Sequence, residues 1–314
     1  MGLFHCPIGA AYYDDDACID CGLCNATTSE EKVESSRKIR EYIRSHAARE
    51  TLVSKIAVCG KGGAGKSTVT TLLAQAFVEA GYMVTVLDSD DSNPCLCRML
   101  GMESEPGPLG DLMSEQAQPG DDREVEQSGS DGLYTDDIPA EYMVKKGGIN
   151  FMLTGKIYDP FQGCSCSLAE SARRIVEKLK LREKEVLILD TEAGVESFGR
   201  GVERGVDTVL AVVEPSYGSI ELAVRIKEMA QGMGISRVGA VLNKMGPGDM
   251  VASIKQRLAE KDMKVLGAVN HSLLLAEASL EGRPLLLQSD AGIYETLTGI
   301  AGSLVSSQLP GGTG

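Results

Sequence analysis

Residues 55–81 join an apolar pentad, a glycine-rich turn and a second apolar-rich run, and this junction limits the fold more than any other feature. Lys55-Ile56-Ala57-Val58-Cys59 suits a strand buried on both faces, as in a parallel sheet. Gly60-Lys61-Gly62-Gly63-Ala64-Gly65-Lys66-Ser67-Thr68 fits G-x-x-x-x-G-K-S/T, with Gly60, Gly65, Lys66 and Ser67 in the fixed places. Val69 to Ala80 continues as a helix that ends at Gly81. A strand that passes through such a turn into a helix wraps backbone N–H groups and a helix N-terminus around an anion. Glycine is needed because a Cβ would keep those N–H groups away from phosphate oxygens. Lys66 sets a point charge against β- and γ-phosphates, and the Ser67 hydroxyl is offered to Mg²⁺. Lys61 is a second cation that a minimal phosphate loop does not need.

The rest of the chain agrees with that start. Apolar residues make up 43% of 314, with five Phe and no Trp, so the core is Leu, Ile, Val, Met and Ala. Strand candidates are Met83–Leu87, Asn150–Leu153, Val186–Leu189, Thr208–Val213, Val238–Leu242 and Val265–Ala268. Helical patterns such as Ser167–Leu179, Ser219–Met233 and Met250–Glu260 lie between them. This βαβ alternation predicts an α/β fold with a doubly wound, mostly parallel sheet and ligands at the carboxyl ends of its strands. Residues 55–308 form that domain, 309–314 a flexible tail, and Glu103–Gly148 a long, partly ordered insertion. Residues 1–54 make a cysteine-rich extension with a charged helix from Ser29 to Glu50, for which Thr28 and Glu31 supply a capping box.

Charge and hydropathy narrow the partners. A formal charge of −14 argues against nucleic acid, which needs a basic surface. No apolar stretch reaches the roughly 18 residues of a membrane span, and Ile293–Leu304 lacks the Lys and Arg of a membrane-surface helix. Met1–Ala10 lacks the long apolar region of a secretion signal, so a cytoplasmic protein is expected. Nine cysteines there read as metal ligands or reactive thiols before disulfides.

Acids stand at two strand ends. Asp88-Ser89-Asp90-Asp91 follows the second strand, where a carboxylate can orient water or metal near a γ-phosphate. Val186-Leu187-Ile188-Leu189-Asp190 has the pattern of a Mg²⁺-linked acid on a neighbouring strand, and the Gly194 N–H beyond it can sense the γ-phosphate. One such acid alone is often a helix cap; two beside a phosphate loop weigh toward a nucleotide site over that reading. Asn243 ends a later strand, and its amide can pair with an adenine edge, although Asn is common in turns.

The two-lysine loop, Asp88-x-Asp90 and Asp190-Thr191-Glu192-Ala193-Gly194 resemble the deviant phosphate-loop ATPases, which include the cell-division positioning ATPases, the partition ATPases and the nitrogenase iron protein. Gly163-Cys164-Ser165-Cys166, Glu192 to Gly201 and Val213-Glu214-Pro215-Ser216 narrow the resemblance to the ATPases that insert nickel into carbon monoxide dehydrogenase. It implies hydrolysis of ATP with Mg²⁺, nucleotide contacts from Gly62 through Thr68, and a nucleotide-dependent homodimer serving a client metalloenzyme. By the same resemblance Lys61 reaches the partner subunit's phosphates, Asp90 orients the attacking water, Ser67 holds Mg²⁺ and Asp190 supports it. Val269-Asn270-His271-Ser272 departs from the proline-containing adenine loop usual in such ATPases.

The cysteines fall into three groups. Cys164 and Cys166 are too few thiolates for a closed tetrahedral site on one chain, whereas a two-fold dimer supplies four, which suits Zn²⁺ or Ni²⁺. Cys95-Leu96-Cys97 follows Pro94 and reads as packing at a helix start, and Cys59 reads as core. Cys18-Ile19-Asp20-Cys21-Gly22-Leu23-Cys24 has the C-x-x-C-x-x-C run of bacterial ferredoxins, with Thr28 at the place of their fourth cysteine and Cys6-Pro7 as a substitute upstream. A [4Fe–4S] cluster, a structural zinc, or no metal at all remain open for Cys6, Cys18, Cys21 and Cys24. With a cluster, an ATP-driven electron donor resembling the nitrogenase iron protein is the alternative to a metal-inserting ATPase.

Overall fold

The computed structural model describes residues 55–115, 133–156, 165–246 and 250–305, together with Thr28, Glu31 and Glu34. β1 (Lys55–Gly60) runs through the phosphate loop into α1 (Lys66–Glu79), and β2 (Met83–Asp88) follows. The chain continues through α2 (Leu96–Met99), α3 (Leu109–Glu115), β3 (Leu133–Tyr134), β4 (Val144–Lys146) and β5 (Ile149–Leu153). Next come α4 (Ser165–Lys178), β6 (Leu179–Lys180), β7 (Glu185–Asp190), α5 (Glu196–Arg200), β8 (Thr208–Val213) and α6 (Tyr217–Gly232). β9 (Arg237–Met245), α7 (Met250–Ala259), β10 (Lys264–Asn270), α8 (Leu273–Leu280) and α9 (Ala291–Val305) complete the series.

Eight strands share one sheet in the order β10-β9-β8-β1-β7-β2-β5-β4, and β3 pairs with β6 in a small second sheet. In the main sheet only β4 runs antiparallel, on the outer edge of β5. Strand side chains alternate between faces, so the continuous apolar runs feed two cores. Ile56, Val58, Val186 and Ile188 join the layer under α1 and α9, while Ala57, Cys59, Leu187 and Leu189 join the layer under α4, α6 and α7. Phe77 and Phe151 are fully buried in the first layer, each contributing on the order of 2–3 kcal/mol by removal from water. Cys59 is a core residue, as its place on a buried strand implies.

Parallel strands put their carboxyl ends on one edge, and there the ladder sets Val58 and Asp88 on either side of Asp190. The parallel α/β architecture is the one the βαβ alternation predicts. The segment read as an insertion does more than interrupt it: Leu109 is buried and Val144–Lys146 extends the main sheet. The short Val-Lys-Lys edge strand, with both lysines exposed, carries no alternation to reveal it. Thr28 and Glu31 form their reciprocal cap, with N–H donations of 3.0 Å to Glu31 Oε2 and 3.2 Å to Thr28 Oγ1. Cys6, Cys18, Cys21, Cys24 and the 309–314 tail lie outside the described residues.

Candidate active site

The phosphate loop owes its shape to glycine. Gly60, Gly63 and Gly65 have φ of 152°, 79° and 92°, all in the region that L side chains rarely adopt. At Gly60 a Cβ would lie 2.6 Å from the Val212 carbonyl, so β1 and β8 touch only because that position is bare. Gly65 occupies the N-cap of α1 and offers no side chain to it, so no side chain covers the first-turn N–H groups of a 14-residue helix. Such an uncapped N-terminus is an anion site, strengthened by the helix dipole. Lys66 and Ala64 are buried in the loop, whereas Lys61, Gly62 and Gly63 are exposed on its rim.

Ser67 and Asp190 come together as the sequence predicts. Ser67 Oγ donates to Asp190 Oδ2 at 2.7 Å and accepts from Asn93 Nδ2 at 2.9 Å. Thr70, one turn along α1, donates to the other carboxylate oxygen at 3.1 Å. Asp190 is wholly buried, and burial pushes its carboxyl up to about 6, against the opposing pull of the Ser67 hydrogen bond and the Lys66 charge. A buried carboxylate behind a hydroxyl at a phosphate loop fits Mg²⁺, which would sit on Ser67 with Asp190 behind it and would neutralise charge on the phosphates.

The loop after β2 divides its acids. Asp88 turns inward to a buried ion pair with Lys156, 2.6 Å long, and burial raises its carboxyl to about 7 despite that partner. Asp90 is also buried, and its Oδ1 accepts from Ser92 N at 3.0 Å and Ser92 Oγ at 2.6 Å. The Gly194 N–H donates to Gly60 O at 3.1 Å, closing the end of β1. Glu192 beside it forms a two-pronged pair with Arg200 on α5.

Two further residues grip the loop from β9. Asn243, buried, donates its amide to Ala64 O at 2.8 Å, and Lys244, in a left-handed conformation, donates to Gly63 O at 2.6 Å. The Asn243 amide therefore lies against the phosphate loop itself, a bracing contact that its strand-end position did not reveal. Lys61 pairs with Glu214 at the end of β8, 3.0 Å away, and this pair holds the Glu214 carboxyl below its usual range. Lys156, Asn93, Thr70 and Lys244 were not singled out from sequence. Thr70 lies three residues after Ser67, a spacing that puts both on one helical face. The other three depend on strand order, which sequence alone does not supply.

Cys166 falls in the first turn of α4, but its side chain and all of Cys164 lie outside the described residues. Cys97 is buried with its thiol against Ser104 O, and burial pushes the thiol up to about 11, so it is an inert packing residue. Cys95 is exposed at the N-cap of α2, in keeping with the helix-start reading.

The same α/β domain resembles known proteins. The family described as CobQ/CobB/MinD/ParA nucleotide binding domain matches residues 55–285. The chain belongs to that family. An uncharacterised ATP-binding protein of Methanocaldococcus jannaschii is 38% identical over 237 residues, covering 74% of this chain and 93% of the relative. The carbon monoxide dehydrogenase accessory protein CooC of Rhodospirillum rubrum is 32% identical over 236 residues, covering 73% and 88%. Among solved structures, the septum site-determining protein MinD of Pyrococcus horikoshii, complexed with Mg-ADP, superposes with a TM-score of 0.62 at 16% identity over 81% of this chain and 97% of that one. The chain is an ATP-binding ATPase of the MinD/ParA class. No helix among the described residues is long and apolar enough to cross a membrane.

Proposed function

We propose that this ATPase dimerises around ATP and uses the cycle to load a metal ion, nickel in the first instance, into a metalloenzyme such as carbon monoxide dehydrogenase. The observation that carries the reading is the 32% identity with CooC across 88% of that accessory protein. The chemistry comes from Cys164 and Cys166, which present two thiolates per chain and four across a two-fold seam, a set for Zn²⁺ or Ni²⁺ as cargo. Lys61, on the exposed rim of the loop, reaches the partner's phosphates in this scheme, and Asp90 orients the attacking water.

Cys164→Ser with Cys166→Ser tests the cargo site. Elemental analysis of the purified protein should show bound Zn²⁺ or Ni²⁺ falling from about one per dimer to none, while ATP hydrolysis persists. Unchanged metal content would remove the reading. Iron and sulfide measured in the same anaerobic sample decide the electron-donor alternative, which rests on the C-x-x-C-x-x-C run of Cys18, Cys21 and Cys24. That alternative requires a cluster whose reduction depends on the bound nucleotide.

A further inference from the structure

Lys156 follows β5, and its side chain is only 2% exposed. Its ammonium donates to Asp88 Oδ2 at 2.6 Å, to the Asp90 carbonyl and to Asn93 O at 2.6 Å. An ammonium has three N–H donors, so these acceptors use all of them. Asp88 is the last residue of β2 and the other two acceptors, both main-chain oxygens, lie on the loop that follows it.

The same loop carries Asp90 and the Asn93 side chain that reaches Ser67 of the phosphate loop. Asp90 is two residues beyond Asp88, and its N–H donates to Asp88 Oδ1 at 3.1 Å. The Asn93 side chain holds Ser67 Oγ, which in turn holds Asp190. One buried ammonium thus fixes both ends of the stretch between the water-orienting acid and the Mg²⁺ hydroxyl. A lysine kept only for stability would be a poor choice, because a buried ion pair often stabilises no better than apolar packing of the same volume. Two carbonyl bonds from the same lysine to Asp90 and Asn93 have no part in a simple Asp–Lys pair.

We infer that Lys156 is a positioning residue for ATP hydrolysis: it sets the distance of Asp90 and Asn93 from the phosphate loop and acts through them. Its ammonium is spent on Asp88, Asp90 and Asn93, and its influence runs through them. The inference rests on Asp90 as the water-orienting acid, a reading that Asp90→Ala tests alone by abolishing turnover whatever Lys156 does.

Lys156→Met by itself leaves Asp88 buried and unpaired, which can unfold the protein. The decisive comparison is therefore Asp88→Asn against Asp88→Asn with Lys156→Met, since both lack the buried carboxylate. The readouts are kcat for ATP, Kd for a non-hydrolysable ATP analogue, and the thermal midpoint. Adding Lys156→Met should lower kcat at least roughly tenfold, as expected for sub-ångström to ångström misplacement of a catalytic group, with analogue Kd within about threefold. Equal kcat in the two variants would overturn the inference. So would a fall in analogue affinity as large as the fall in kcat, since it would assign the lysine to binding or folding.

Discussion

Glu203 is a carboxyl with no access to water. It follows α5, Ser197 Oγ donates to its Oε1, and its Oε2 has no hydrogen-bond partner among the described residues. Burial is the largest influence and raises its pKa from the ordinary 4.5 to about 7, against the Ser197 hydrogen bond. Unfolded, the group loses its proton near 4.5; folded, it keeps it until about 7. The folded state therefore holds an extra proton between those values, and the stability this contributes is lost as pH rises through the window. Glu203→Gln stays neutral throughout. Urea unfolding at pH 5 and pH 8 should show the variant gaining on the wild type as pH rises, by up to ~3 kcal/mol. Asp88 and Asp190 are raised in the same direction and keep their own slopes in both proteins, so the difference between the two isolates Glu203. A constant difference between variant and wild type across pH would show that Glu203 ionises as freely when folded as when unfolded.

At the scale of elements, the strand–loop–helix of residues 55–79 was legible because each part reports itself locally: an apolar run, three glycines in forced conformations and an apolar helix. The Ser67–Asp190 contact was legible too, because each residue type is fixed by its place at a loop or strand end. What stayed hidden are contacts made by neighbours in the sheet rather than in the chain. Lys156 reaches Asp88 because β5 pairs with β2, and Asn243 reaches Ala64 from β9, two strands away from β1. The second of these contacts makes a specific demand on Gly65. A Cβ there would lie 2.2 Å from Asn243 Nδ2, on a backbone at φ 92°. Gly65→Ala must therefore displace the buried amide and leave the left-handed region, and both motions pull the loop out of its cradle. Recovering the cradle on binding costs about 1–3 kcal/mol, so ATP affinity by calorimetry should fall roughly 5- to 150-fold. Binding at wild-type affinity would show that the loop tolerates a side chain at the α1 N-cap.

For the whole molecule, the question is where Lys61 acts. Its pair with Glu214 is 3.0 Å long, yet the two side chains are 46% and 21% exposed. Exposed pairs of this kind are worth about 0–1 kcal/mol, too little to hold a lysine against a polyphosphate. On the proposed reading Lys61 leaves Glu214 for the partner's nucleotide, whereas Lys66 serves the site of its own chain. The two lysines then belong to different sites of one dimer, and that separation can be measured. Lys61→Ala and Lys66→Ala should each be inactive alone. In a mixed dimer, the Lys61→Ala subunit still has its own Lys66 and receives Lys61 from the Lys66→Ala partner, so one of the two sites is complete. Equal mixing makes about half the dimers mixed, and recovered hydrolysis should approach a quarter of the wild-type rate. If Lys61 served only its own chain's phosphates, no mixture would contain a complete site and the rate would stay at the level of the separate variants.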